Sequence, residues 1–128
     1  MYQTEIKGDR LYHAQSSGYG QPVETFGQTQ DGETPMSLVN IALASCVTMC
    51  IQGYFAKHHQ LTELPITVES HYENKKFTLL LRMDDALTEE MKSALLTYID
   101  DNCRVKQLLR QDLDYQISFA EKKEPYKD

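Results

Sequence analysis

The alternation of hydrophobic and polar residues predicts short strands at both ends of the chain and in its middle. Near the N-terminus, strand-forming residues flank a turn signal at Lys7-Gly8-Asp9 in YQTEIKGDRLYHA, which predicts a hairpin, and PVETFGQ predicts a further short strand. A second hairpin is predicted from LPITVESHY and KKFTLLLRMD, which are joined by ENK. DLDYQISFA predicts a closing strand, and residues 121–128 predict a polar tail.

An apolar segment from Pro35 to His59 interrupts this strand pattern. Thr34 is the predicted N-cap of a helix and Pro35 its first residue. No charged residue occurs from Pro35 to Ala56, so the segment is long enough to cross a bilayer. Scattered polar residues, such as Asn40, would need partners in lipid, and this favours a helix buried on all sides within protein. A second copy of the chain is expected to supply part of that cover.

Two further helices are predicted before the closing strand. LTEEMKSALLTYIDDN begins with Thr88 as a predicted N-cap, and its apolar residues recur at helical spacing. CRVKQLLR predicts a short helix with Asn102 as its N-cap. The element order βββ-α-ββ-α-α-β predicts a single α+β domain over residues 1–128, with a mostly antiparallel sheet against the helices.

Charge and composition narrow the classes of function. The 128 residues carry a formal net charge of −6, which argues against nucleic acid and anionic membranes as partners. The opening MYQTEIKGDRLYH has no apolar secretory segment, and three widely spaced cysteines do not suit a disulfide framework, so we expect a cytoplasmic protein. A phosphate-binding loop is absent, and the four histidines form no recognisable triad with a serine or cysteine.

The three cysteines are the candidates for chemistry, and the residues alone leave three interpretations open. Cys46 and Cys50 could be small apolar residues of a core. A metal site with His58 or His59 is disfavoured, because eight residues separate Cys50 from His58, about 12 Å along a helix. Two ligands of one zinc ion lie only about 3–4 Å apart. The third interpretation is redox chemistry with Cys103 as the partner thiol.

The positions of Cys46 and Cys103 within their helices predict different reactivity. Cys103 follows Asn102 at a predicted helix N-terminus, where backbone N–H groups lower the pKa of a thiol. Cys46 lies about 15 Å from the positive end of its own helix, so a nearby cation would be required to activate it. The spacing of Cys46 and Cys103 in the sequence does not decide which of the two thiols is the nucleophile.

Two segments resemble the family of osmotically inducible protein C and the organic hydroperoxide resistance proteins (OsmC/Ohr). TPMSLVNIALASC is similar to the family's motif before its reactive cysteine, with a proline eleven positions earlier, as Pro35 is to Cys46. The stretch from LTEEMK to YQISF is similar to the closing segment, where Cys103-Arg104-Val105 replaces a Cys-Pro-Val step. The resemblance implies the OsmC/Ohr fold, an intertwined homodimer with the long buried helices at its centre.

The same resemblance implies thiol-dependent reduction of organic hydroperoxides in oxidative stress defence. If the roles of the family's cysteines apply to this chain, the resemblance implies that Cys46 is the peroxidatic thiol, which forms a sulfenic acid, and that Cys103 is the resolving thiol, which closes a disulfide. A dithiol reductant, such as a lipoyl group, would reopen it. No metal or other cofactor is implied, and Cys50 is interpreted as core packing. The alternatives are a protein that binds an apolar small molecule in the dimer pocket, and a thiol redox sensor.

One departure from the family pattern affects the reactive thiol. The family's peroxidases place a glutamate after the proline to orient an arginine onto the thiolate, and this chain has Met36 there. Arg10 in the N-terminal hairpin is the candidate for the arginine, and Glu24 and Glu33 are candidates to replace the carboxylate. Without an orienting pair, we expect a raised pKa for Cys46 in an apolar pocket and a slow reaction.

Overall fold

The computed structural model describes residues 1–121, which belong to two compact units, residues 1–39 and residues from 40 onward. Helix α1 (Pro35–His59) begins in the first unit and continues in the second. The first unit contains β1 (Glu5–Arg10), β2 (His13–Ser17) and β3 (Glu24–Phe26). The second contains β4 (Ile66–Glu73), β5 (Lys76–Met83), α2 (Glu89–Asn102), α3 (Arg104–Leu108) and β6 (Asp114–Glu121). Beyond Glu121, the predicted polar tail lies outside the described residues.

The first unit forms an antiparallel sheet in the order β1-β2-β3. The predicted N-terminal hairpin is confirmed, but its predicted turn at Lys7-Gly8-Asp9 is wrong. The chain turns at Leu11 and Tyr12, where Tyr12 adopts a positive φ of 54°. The glycine signal instead marks an irregularity in strand register between Gly8 and Arg10, as expected where a bulge lets one strand bend.

Helix α1 begins where the sequence predicts it. The Ser37 N–H donates to the Thr34 hydroxyl at 3.0 Å, and the Thr34 N–H donates to the Ser37 hydroxyl at 2.7 Å. This reciprocal pair satisfies backbone groups that a helix N-terminus otherwise leaves free. The predicted N-cap is therefore confirmed.

The second unit covers only one face of α1. Its fully or nearly buried side chains recur at helical spacing: Leu43, Val47, Cys50, Ile51 and Phe55. Ile41 and Met49, by contrast, are 45% and 66% exposed. A single chain therefore buries one face of α1, and burial of the remaining faces by a second copy stays a prediction. By length and composition α1 could also cross a membrane, a property it shares with the core helices of soluble proteins.

The second sheet has the order β4-β5-β6 and contains both strand orientations. β4 and β5 are antiparallel and meet at a two-residue turn, where Asn74 and Lys75 have φ values of 51° and 62°. Positive φ at both positions is typical of the turns that connect twisted hairpins. β6 runs parallel to β5, and a parallel neighbour requires a crossover, which α2 and α3 provide. The α+β class with mostly antiparallel pairing is confirmed.

The chain between α2 and α3 brings the third cysteine into the core. Thr88 caps α2 as predicted, because its side chain accepts a hydrogen bond from the Met91 N–H at 3.1 Å. The predicted Asn102 N-cap of α3 is wrong. Cys103 occupies that position with an extended backbone (φ −77°, ψ 99°), while the Asn102 side chain donates to the Tyr98 carbonyl at 2.9 Å. Cys103 thus lies at a break between two helices.

Candidate thiol site

The three cysteine sulfur atoms converge in the second unit. The Sγ atoms of Cys46, Cys50 and Cys103 all lie within 4.8 Å of one another, and all three are free thiols. Cys46 and Cys50 share a face of α1 because they are four residues apart, and Cys103 is contributed by the break between α2 and α3. The cluster thus joins the predicted peroxidatic and resolving thiols, and it also includes the cysteine interpreted as core packing.

Contacts along α1 hold it against β4 and α2. The Asn40 side chain donates to the Ser70 carbonyl at 3.0 Å and accepts from the Ser70 hydroxyl at 2.6 Å. Further along, the Tyr54 and Tyr98 rings pack edge to face, with their centroids 5.4 Å apart. The polar residue that argued against a lipid environment is therefore satisfied within the protein, and these contacts place α1 beside the helix that leads to Cys103.

The three thiols differ in exposure. Cys103 is fully buried and Cys50 is only 9% exposed, whereas Cys46 is half-buried. A reagent entering from solvent therefore reaches the Cys46 sulfur first.

The pKa of the Cys46 thiol is lowered by hydrogen bonds from another part of the chain. Burial raises this pKa, but N–H groups of Val105 and Arg104 and the thiols of Cys103 and Cys50 donate to the sulfur and outweigh burial. The prediction of a raised pKa is wrong. That prediction rests on an apolar pocket without an orienting arginine, whereas the donors belong to the first turn of α3, whose N–H groups have no partner within that helix.

The other two cysteines are harder to ionise. Burial raises the pKa of Cys103, and the N–H of Lys106 does not compensate, so the predicted lowering at this helix start is wrong. Burial also raises the pKa of Cys50 to about 12, and negative charge on Cys103 and Cys46 adds to the effect. Of the three thiols, Cys46 is therefore the easiest to ionise, and its thiolate form accepts hydrogen bonds from the thiols of Cys103 and Cys50.

Arg10, the candidate activating arginine, lies at the end of β1 in the first unit. Its Nη1 is 2.9 Å from the Asp9 carboxylate, and its side chain is well exposed. Met36, in the place of the family glutamate, is 55% exposed. A role for Arg10 stays a prediction.

The two acids considered as replacements for the missing glutamate have partners of their own. Glu24 Oε2 lies 2.9 Å from His13 Nε2. Glu33 accepts a hydrogen bond from the Ser37 hydroxyl at 2.7 Å, beside the N-cap of α1. Both contacts are explained by local structure in the first unit.

Known proteins support the assignment of this fold and its family. The family model described as OsmC-like protein matches residues 27–118, a range that includes α1, both central strands and Cys103. This chain belongs to the OsmC-like family. The predicted family is therefore confirmed, and with it the α+β OsmC/Ohr class of fold. No curated protein sequence matches the chain.

Solved structures of OsmC-like proteins share this fold at low sequence identity. An OsmC-like protein from Mycoplasma pneumoniae is 11% identical with a TM-score of 0.72, over 94% of this chain and 96% of its own. The organic hydroperoxide resistance proteins OsmC from Legionella pneumophila and OhrB from Bacillus subtilis are 15% and 19% identical. Each has a TM-score of 0.61 over 94% of this chain and 98% of its own.

Proposed function

We propose that this protein reduces organic hydroperoxides with Cys46 as the peroxidatic thiol and Cys103 as the resolving thiol. The observation that carries the proposal is the pairing of a half-buried thiol of lowered pKa, Cys46, with a fully buried thiol, Cys103, whose sulfur lies within 4.8 Å. A depressed pKa and partial exposure characterise reactive cysteines, whereas buried neutral cysteines are inert toward solvent. Membership of a family that includes organic hydroperoxide resistance proteins supports the substrate class.

The proposed reaction balances over three steps. The Cys46 thiolate attacks one peroxide oxygen, the O–O bond breaks, and the products are a sulfenic acid and an alkoxide that takes a proton from solvent. The Cys103 sulfur then attacks the sulfenic sulfur, and its proton leaves with the hydroxyl as water. An external dithiol, such as a lipoyl group, returns two electrons by thiol–disulfide exchange and leaves as its own disulfide. A cytoplasmic location, also part of the proposal, suits thiols that must be kept reduced.

Helix geometry favours Cys103 over Cys50 as the resolving thiol. Residues four apart on an α-helix have their Cβ atoms about 5–6 Å apart, whereas a disulfide requires roughly 3.5–4.5 Å. A bond between Cys46 and Cys50 would therefore distort α1. Cys103 has an extended backbone at a break between helices, so a small local shift brings its sulfur to Cys46.

Mass spectrometry after one equivalent of cumene hydroperoxide tests the proposal. Remaining thiols are alkylated, the chain is digested under non-reducing conditions, and linked peptides are identified. We expect Cys46 joined to Cys103, with Cys50 recovered in alkylated form. Three alkylated cysteines after treatment, or oxidation confined to Cys50, would contradict the assignment.

We further propose that the protein is a homodimer in which a second copy covers α1. Ile41 and Met49 are exposed large apolar side chains on this helix, and such side chains favour a protein partner when they form a continuous patch. We expect Met49→Glu to convert dimers to monomers, because a carboxylate at a buried interface loses its hydration without gaining a partner.

Light scattering at micromolar concentration measures the mass of the wild type and of this variant. Ser93→Glu adds the same charge at an exposed position of α2 and serves as the matched control. A folded monomeric wild type, or equal dissociation in both variants, would refute the interface.

A further inference from the structure

The three sulfur atoms have a geometry that the hydroperoxide reaction does not use in full. That reaction needs two thiols, yet Cys46, Cys50 and Cys103 all lie within 4.8 Å of one another. Among the described residues these are the ligating side chains that converge in this way. We propose that the reduced protein binds one thiophilic metal ion, Zn²⁺ or Cu⁺, through the three cysteine sulfurs.

The spacing of the sulfurs suits such an ion. Zinc–sulfur bonds are about 2.3 Å long, and tetrahedral geometry then places two sulfurs about 3.8 Å apart. The sulfurs of this cluster need to approach by about 1 Å at most, which side-chain rotation can supply. Thiolate sulfur is also the ligand type that selects Cu⁺ and Zn²⁺ over harder cations.

The position of Cys50 fits a metal ligand better than it fits a redox partner. Two ligating residues four apart on one helix hold a metal on a single face, as the paired histidines of zinc proteases do. The same spacing disfavours a disulfide, because the Cβ atoms are too far apart. Cys46 and Cys50 therefore form a chelating pair on α1, and Cys103 supplies the third ligand from the break between α2 and α3.

The surroundings of the cluster can support a charged metal–thiolate site. Backbone N–H groups of Arg104 and Val105 donate to the Cys46 sulfur, and that of Lys106 donates to the Cys103 sulfur. Donors of this kind offset the negative charge of thiolate ligands and orient them. Binding releases the thiol protons to solvent. Because Cys46 is half-buried, a water molecule can complete four-coordinate zinc from the solvent side, whereas three-coordinate copper needs no further ligand.

Metal titration of the reduced full-length protein tests the proposal without any hydroperoxide. Chelator-treated protein is titrated anaerobically with Zn²⁺ in one arm and Cu⁺ in the other, each against a chromophoric competitor. We expect one ion per chain in at least one arm, and the saturated protein should lose the reaction of Cys46 with iodoacetamide. Binding of neither ion, or binding that leaves Cys46 open to alkylation, would overturn the proposal.

Substitutions assign the ligands. We expect Cys50→Ser to weaken binding by at least the roughly 10–100-fold that loss of a supporting partner costs a metal site. His58→Gln with His59→Gln is the matched control, since it removes the metal-binding side chains at the end of the same helix. Loss of binding in the histidine variant, with retention in Cys50→Ser, would place the ion elsewhere. The alkylation readout uses the wild type, so the result does not depend on whether a variant folds.

Discussion

Replacing Cys46 with serine is expected to reduce the consumption of an organic hydroperoxide to the rate measured without protein. A serine hydroxyl does not ionise near neutral pH, so the N–H groups of Val105 and Arg104 have no anion to stabilise and no nucleophile meets the peroxide. Because Cys46 is half-buried and serine is similar in size, the fold should persist, as circular dichroism would verify. Consumption of cumene hydroperoxide in the presence of a dithiol gives the rate.

The other two cysteines provide matched controls for this result. Cys50→Ser should retain turnover, because the thiolate and the resolving thiol both remain. Cys103→Ser should complete one oxidation of Cys46 and then stop, leaving a sulfenic acid that dimedone traps. Equal loss of activity in Cys46→Ser and Cys50→Ser would show that the cluster is structural, and the proposed function would fail. That outcome would leave the metal proposal open to its own titration.

Short sequence patterns predict the individual helices and strands, whereas the way these helices and strands are arranged depends on contacts between distant segments. Thr34 and Thr88 are capping residues whose hydrogen bonds span three positions, so the pattern near each helix start was sufficient. The parallel pairing of β6 with β5 depends on how α2 and α3 return the chain, and no short segment records that path. The turn signal at Gly8 was ambiguous, because glycine suits a strand irregularity as well as a turn.

The thiol site also combines features that the sequence predicts with features that depend on how distant segments pack together. The resemblance to OsmC/Ohr proteins paired Cys46 with Cys103, and the sulfurs do lie together. The raised pKa predicted for Cys46 is wrong because its hydrogen-bond donors come from Arg104 and Val105, which are distant in sequence. The interpretation of Cys50 as core packing agrees with its burial, but its nearness to Cys103 depends on the break between α2 and α3. The spacing of residues within α1 does not show that the Cys103 sulfur lies beside those of Cys46 and Cys50.

Replacing Arg104 with proline is expected to raise the pKa of Cys46 and slow its reaction at neutral pH. Proline has no N–H, so one donor to the thiolate is lost. The substitution suits the backbone, because Arg104 is the first residue of α3 and the preceding Cys103 is already extended. A hydrogen bond to a charged group is worth about 1.5–3 kcal/mol, so the ratio of Cys46 thiolate to neutral thiol at a given pH should fall roughly tenfold or more.

The pKa of Cys46 rises in this variant because only the thiolate form accepts the hydrogen bond that is lost. The Arg104 N–H stabilises the thiolate and not the neutral thiol, so its removal favours the protonated form and moves the pH of half-maximal alkylation upward. Iodoacetamide labelling of the Cys46 peptide across pH measures this midpoint. Arg104→Ala keeps the N–H and removes the guanidinium, so its midpoint should match the wild type. A midpoint raised equally by alanine and proline would mean that the arginine charge activates Cys46. A shift confined to Arg104→Pro would show that a backbone donor from the first turn of α3 activates Cys46 in a chain that has Met36 after Pro35.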